Sequence, residues 1–337
     1  MTDIIIKSFN RPYYLDRCLH SIYQLVSGAF RITVLDDGTP PAYLEKIQSS
    51  FPEIIIRRSA LYEEKVRAIE AHVKGQAPFQ SFQIPVDLWT AQVASASQVF
   101  LLLEDDIWLT EKVDLAQLRS QMEQHHVVVA KIGWSGNKNV NQGKISVLSD
   151  ALESIEPKLP VASSVMFEAI ALNKYKVRSL LYRLGFVNDE FNLPYYAMYA
   201  VAAAMFDKSY WLSLWENAGQ RVNETLQLNK ALHWKNSHPG DAFGKSRQEL
   251  CKTSYISSAT NNFEGVNLDM IVLNHHLNEA WLSGQLDPMN NFPRDFDVSY
   301  LQGLLKTVAD KRYSAEGWNQ WITRFKNQYI NLGCDVE

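Results

Sequence analysis

The sequence predicts an α/β protein: a mostly parallel β-sheet flanked by helices, followed by a helical C-terminal extension. Three observations carry this. Short β-branched or apolar runs recur through the first third of the chain. Segments with apolar residues at helical spacing separate them. Gly, Pro or Asp punctuates each junction. Strands that alternate with helices form parallel sheets through right-handed crossovers, and such sheets take ligands beyond the carboxyl ends of their strands.

The elements follow in order. Ile4–Ile6 opens as a strand, and Leu15, Cys18, Leu19, Ile22 and Val26 recur at helical spacing behind Pro12, which suits a first helical turn. Residues 31–35 are a second strand, stopped by Asp36-Asp37-Gly38-Thr39. Thr39 is placed to cap a helix with Leu44, Ile47 and Phe51 on its apolar face. Ile54–Ile56 is a third strand. A helix over 62–74 carries Glu63 and Glu64 in its first turn and stops at Gly75. Asp87 is placed to cap the next helix. Residues 99–103 form a wholly apolar strand, as one covered on both faces must be, and it stops at Glu104-Asp105-Asp106. A helix near 115–124 and a fifth strand over 127–132 complete the alternation. Beyond Ser135 the pattern loosens: 134–144 reads as a loop, 195–215 as a buried segment running into a helix, 233–247 as a mobile loop, 267–282 as a helix. Trp318, Trp321 and Phe325 form a stripe that packs a terminal helix on the core. This divides the chain into three segments, 1–135, 136–230 and 231–337, the last holding a lid loop and the helical extension.

The 337 residues include 33 Lys+Arg and 37 Asp+Glu, a net charge of −4, with 46% hydrophobic and 21% charged residues. That composition excludes a disordered, collagen-like or disulfide-dense chain, and the charge argues against nucleic acid as a partner. Cys18, Cys251 and Cys334 are too scattered for a disulfide framework or a paired-cysteine metal site. No secretory signal or membrane-length apolar run is visible. A cytoplasmic protein is expected, with peripheral membrane contact left open.

The acids at the strand ends carry the chemistry. Asp36 and Asp37 sit on a Gly-containing turn, and burying them unpaired would be costly. Glu104, Asp105 and Asp106, flanked by apolar segments, repel one another unless something positive lies among them; a hard divalent cation prefers such oxygen ligands. Mg²⁺ takes only one or two protein carboxylates and fills its shell with water and phosphate, which fits a metal–diphosphate complex.

The run SFNRPYYLDRCLHSI after a strand, then VLDDGT, then LLLEDDIWL, resembles the GT-A fold glycosyltransferases, most closely family 2. The resemblance covers residues 3–135 and implies that 1–135 is the nucleotide-sugar-binding half and 136–230 the acceptor-binding half. It implies a Rossmann-type sheet and a metal-dependent, inverting transfer from a nucleotide-diphosphate sugar, UDP-linked by expectation, to a glycan or lipid-linked acceptor. By the same resemblance Ser8, Asn10 and Arg11 lie against the nucleotide. Asp37, with Asp36 beside it, contacts the base or ribose. Arg57 or Arg67 faces the diphosphate. Glu104 and Asp105 flank the ribose, and Asp106 ligates Mn²⁺ or Mg²⁺. Inverting transfer needs a carboxylate base; Glu224 and Asp189 are the candidates. His238 is a candidate additional ligand, in a 238–245 segment expected to close as a lid. Trp134 is the candidate platform for an acceptor sugar, and Trp211 and Trp215 are read as core. A phosphatase with paired Asp-x-Asp is excluded, because Leu35 and Gly38 stand where the second Asp would be. A sugar-nucleotidyltransferase and a non-catalytic GT-A-like scaffold remain as alternatives.

Overall fold

A computed structural model describes residues 1–80, 83–188, 190–219 and 222–336. Thirteen strands are present among them: β1 (Thr2–Ser8), β2 (Val26–Ser27), β3 (Phe30–Asp36), β4 (Ile55–Arg58), β5 (Val99–Glu104), β6 (Ile107–Leu109), β7 (Val113–Asp114), β8 (Val127–Lys131), β9 (Gly143–Val147), β10 (Leu152–Pro157), β11 (Ala204–Asp207), β12 (Ala242–Ser246) and β13 (Cys251–Thr253). Nine form one sheet in the order β4-β3-β1-β5-β11-β8-β12-β10-β9. The run β4-β3-β1-β5 is parallel, as is β8-β12. Both β11 and β10 run against their neighbours. The fold is therefore a mixed α/β domain with a large, mostly parallel sheet, and strands from all three expected segments lie in it.

Alternation along the strands divides the core between two faces. Ile4, Ile6, Val34, Leu101 and Leu103 point to one side, where α1 (Pro12–Leu25), α5 (Leu115–Gln124), α10 (Met270–Leu282), α11 (Val298–Leu305) and α12 (Ala315–Asn331) supply the partners. Ile5, Leu35, Phe100 and Leu102 point to the other, against α4 (Val86–Ala94), α8 (Lys208–Trp215) and α9 (Glu224–Ser237). Trp211 and Trp215 are core, stacked 5.4 Å apart. Trp318 and Trp321 are fully buried, so the terminal helix packs on the core as its stripe implies. The remaining helices are α2 (Pro41–Ser50), α3 (Tyr62–Val73), α6 (Ser164–Ala171) and α7 (Val177–Arg183). All three cysteines are free thiols.

Three local expectations fail. Thr39 does not cap α2: its hydroxyl donates to Asp36 Oδ2 at 2.6 Å and accepts from Asn10 N, and Pro40 holds the cap position. Asp87 lies inside the first turn of α4, behind Pro85. The 233–247 segment is not a loop: α9 continues to Ser237 and β12 occupies 242–246. Its strand character was hidden because Phe243 is its one large apolar residue. Gly244 is needed where a Cβ would stand 2.8 Å from Glu153 O, and Lys245 is buried against Glu153 at 2.5 Å.

Lys131, at the end of β8, is buried beside Lys245 and donates to Val140 O and Asn141 Oδ1. Burial, with Lys245 adding, pushes its pKa down to about 7. The unfolded chain holds this proton up to a pKa of about 10.4. Between those values the unfolded state binds more protons, so stability should rise as pH goes from 7 to 10. Denaturant titrations at pH 7 and pH 9.5 should show the rise, and Lys131→Met should flatten it.

Candidate active site

The chain moves outward from β1 to β3 and β4, then returns to place β5 on the other side of β1. This reversal opens a crevice at the carboxyl ends of β1 and β5. Register fixes which side chains meet there: Ser8 sits beside Asp36, and Lys7 beside Glu104. The ladder extends one bond past each strand, with Asp37 N donating to Ser8 O and Asp105 N to Lys7 O. A cleft of about 680 Å³ lies over this edge.

Asp37, Glu104, Asp105 and Asp106 all line the cleft, with Lys7, Arg11 and Lys65 among them. Arg11 is 6% exposed and bridges two acids, Nη2 to Asp105 at 2.5 Å and Nη1 to Asp106 at 2.8 Å. Lys7 Nζ lies 2.8 Å from Glu104, and Lys65 Nζ lies 2.5 Å from Asp37. The positive charge that the acid cluster requires is thus partly supplied by the chain itself. Burial pushes Asp105 up to about 7, with Arg11 opposing and Asp106 reinforcing. Asp106 is raised by burial against the pull of Arg11. Burial would also raise Glu104, but Lys7 outweighs it and holds the carboxyl below its ordinary value. Burial works against the charge on Arg11, yet the two aspartates raise its pKa.

The sequence-derived candidates separate into groups. Ser8, Arg11, Asp37, Glu104, Asp105 and Asp106 are brought together at the cleft. Asp36 is not in its lining: it is fully buried and accepts from Gly38 N, Thr39 N and the Thr39 hydroxyl, holding the turn in shape. Asn10 is likewise 1% exposed, in left-handed conformation, bonded to Thr39 and Asn278. Arg67 is exposed outside the cleft, and Arg57 is exposed on β4. Lys65, on the buried face of α3 with Tyr62, Val66 and Ile69, is the basic residue this helix brings to the cleft, where it pairs with Asp37. Glu224 opens α9, exposed, accepting from the Tyr196 hydroxyl. His238 stacks on Trp234 at 3.9 Å at the end of α9, where the chain enters β12; this is the amino edge of the parallel strands, opposite the acids. With β12 starting at Ala242, the expected lid is a strand. Asp189 lies outside the described residues. Trp134 is half-buried, donates to the Tyr255 hydroxyl at 3.2 Å, and lines a second cavity of about 300 Å³.

Sequence reasoning missed several lining residues. Phe325 and Tyr329 continue the Trp318/Trp321 stripe of α12 at helical spacing and wall the cleft. His72 and Asp269 pair at 2.6 Å at its edge.

The donor set fits a hard cation in a limited way. Both oxygens of Asp105 are engaged, Oδ1 by Arg11 and Oδ2 by Phe9 N. Asp106 has a side chain 13% exposed with Oδ2 on Arg11, and Glu104 one 37% exposed with Oε1 on Lys7; both residues line the cleft. Among the described residues no group of three or more His, Cys, Asp or Glu is arranged around one point. A cation here would draw its remaining ligands from phosphate and water, as Mg²⁺ commonly does.

Gly38 gives the turn its closeness. Its φ is +144°, and a Cβ there would stand 2.9 Å from Lys65 Cβ and 3.0 Å from the Phe9 ring. Gly38→Ala should cost about 1–3 kcal/mol through backbone strain and overpacking. Denaturant unfolding checks this.

Comparison with protein-family models and with curated proteins gave no match. Among solved structures the chain is similar to S. aureus TarS, at 10% identity and a TM-score of 0.42, over 90% of this chain and 42% of that one. It therefore spans less than half the length of that protein. TarS 1–349 in complex with UDP-GlcNAc matches at 11% identity and 0.41, over 98% of this chain and 73% of that one. Glucosyl-3-phosphoglycerate synthase from Mycobacterium tuberculosis, solved with Mn²⁺, UDP and phosphoglyceric acid, matches at 10% and 0.38, over 85% and 80%. These scores lie below 0.5, and the functional reading rests on the cleft itself.

Proposed function

We propose that the protein is a nucleotide-diphosphate-sugar glycosyltransferase of the GT-A type, with the donor held in the 680 Å³ cleft. One observation carries the reading: acids from the ends of β3 and β5, Asp37 and Asp106, meet across β1 at the reversal point of the sheet, in a cleft large enough for such a ligand. Phe9 and Phe79, with ring centroids 6.1 Å apart, flank the Asp37 end and suit a nucleobase. Asp37 accepts from Lys65 through Oδ2, and Lys65 and Ser59 oppose the rise that burial gives its carboxyl. Lys7 and Arg11 place positive charge where a diphosphate would lie.

Asp106 and Glu104 are the residues that would hold Mn²⁺ or Mg²⁺; when bound, the ion would stabilise charge on the leaving diphosphate. Arg11 orients Asp106 and fills one of its oxygens. Glu224 is the base in this reading. The Tyr196 hydroxyl donates to it, at a position outside the lining of the 680 Å³ cleft. Asp189 is the second candidate.

A melting-temperature screen of nucleoside diphosphates with and without Mn²⁺ tests the reading, because a ligand that binds only the folded state raises the transition by mass action. UDP plus Mn²⁺ should shift the wild type and leave Asp106→Ala unmoved. Equal shifts in both proteins, or none with any nucleotide, would refute it.

A further inference from the structure

The largest concentration of exposed apolar side chains lies far along the chain from the acids. On α6, α7 and their junction, Val165, Met166, Leu172, Tyr175, Leu180, Tyr182, Leu184 and Phe186 are between 47% and 95% exposed. Large exposed apolar groupings on a protein surface commonly mark an interaction site. Residues 158–186 also carry Lys158, Lys174, Lys176, Arg178 and Arg183 against one acid, Glu168, which pairs with Lys174 at 2.8 Å; Lys176 and Arg183 are exposed, and Glu156 and Glu190 flank the segment. Tyr175 stands 95% exposed at the tip of the turn, where Asn173, Tyr175 and Lys176 all have positive φ. A bulky residue in that conformation is uncommon.

We infer that the α6–α7 segment is a docking face for a membrane surface bearing anionic headgroups. Protruding aromatic and aliphatic side chains among Lys and Arg are what an interfacial helix needs: the apolar groups enter the headgroup boundary and the cations meet the lipid charge. No described helix is long and apolar enough to cross a bilayer, so the contact is with the interface alone. A second copy of the chain suits the face poorly, since a two-fold contact would set its basic residues against themselves. A lipid surface accepts a projecting tyrosine without a complementary pocket.

The test is co-sedimentation of the full chain with vesicles of phosphatidylcholine alone and of phosphatidylcholine with about one third phosphatidylglycerol. Binding to the anionic vesicles and its weakening by added salt are expected. Lys176→Gln/Arg183→Gln should lower partitioning about 25-fold, at about fivefold per basic residue removed. Tyr175→Ser/Phe186→Ser should lower it about tenfold, in proportion to the apolar area lost. All four positions are exposed, so melting temperatures should stay at the wild-type value and exclude unfolding as the cause. Equal binding to both vesicles, or to neither, overturns the inference. So does a solution dimer that Tyr175→Ser/Phe186→Ser converts to monomer while vesicle binding is absent.

Discussion

Replacing Arg11 with Met should destabilise the fold by about 3–5 kcal/mol at pH 7, because removing one partner of a buried ion pair leaves uncompensated charge. Here a single guanidinium serves both Asp105 and Asp106, and both lose their counter-charge together. The loss should depend on pH in a definite direction. Asp105 already titrates near 7 in the folded protein, above its unfolded value of about 3.9. A carboxyl raised on folding binds its proton more tightly in the native state, so stability falls as pH rises through that window. Without Arg11 the folded value climbs further and the slope steepens. Denaturant unfolding of wild type and Arg11→Met from pH 5 to pH 8 should show the gap widening with pH. A gap that stays constant would mean that the pair contributes packing alone. Arg11→Lys should recover only part of the loss, since one ammonium cannot span both carboxylates as the planar fork does.

The second large effect is on turnover. With a UDP-sugar and Mn²⁺, Asp106→Ala should lose hydrolysis about a thousandfold, since charge stabilisation at the leaving group is worth several kcal/mol. Glu224→Gln should behave differently. A positioned base contributes roughly 10²–10⁴-fold to the chemical step, so kcat should fall by that factor while the UDP-induced rise in melting temperature stays intact. Among the described residues Glu224 takes its hydrogen bond from Tyr196, and it is exposed, so the fold should tolerate the change. Unchanged kcat in Glu224→Gln would move the base to another acid, Asp189 first.

The strands of the parallel half were legible because each is a compact apolar run that stops at a charge or a glycine, and the acids of the cleft sit at those stops. Their counter-charges were harder to read. Lys7 meets Glu104 through sheet register between residues almost a hundred positions apart, which no local pattern encodes. Lys65 was legible in principle: it shares the spacing of Tyr62, Val66 and Ile69, a buried face where a lysine must find a partner. Arg67 attracted the assignment by residue type although its position turns it outward. Strand β12 escaped notice because Gly244 and two polar neighbours replace the apolar alternation, and a buried Lys245–Glu153 pair does the work of packing. His238 fell with it: once 242–246 is a strand parallel to β8, the residues before it belong to the far edge of the sheet.

Strand β11 has a consequence beyond its own four residues. Because it runs backward between β5 and β8, the chain that feeds it arrives at the acid-bearing rim, where Val201 O accepts from Lys7 at 3.3 Å. Tyr196 and Tyr199 ride on that incoming stretch, outside any strand pairing. That stretch packs into the core, with Tyr195, Met198 and Tyr199 buried, and lies outside the lining of the 680 Å³ cleft, so it braces the rim from behind Lys7. Substitutions in that stretch would reach the acids through Lys7, which also holds Glu104.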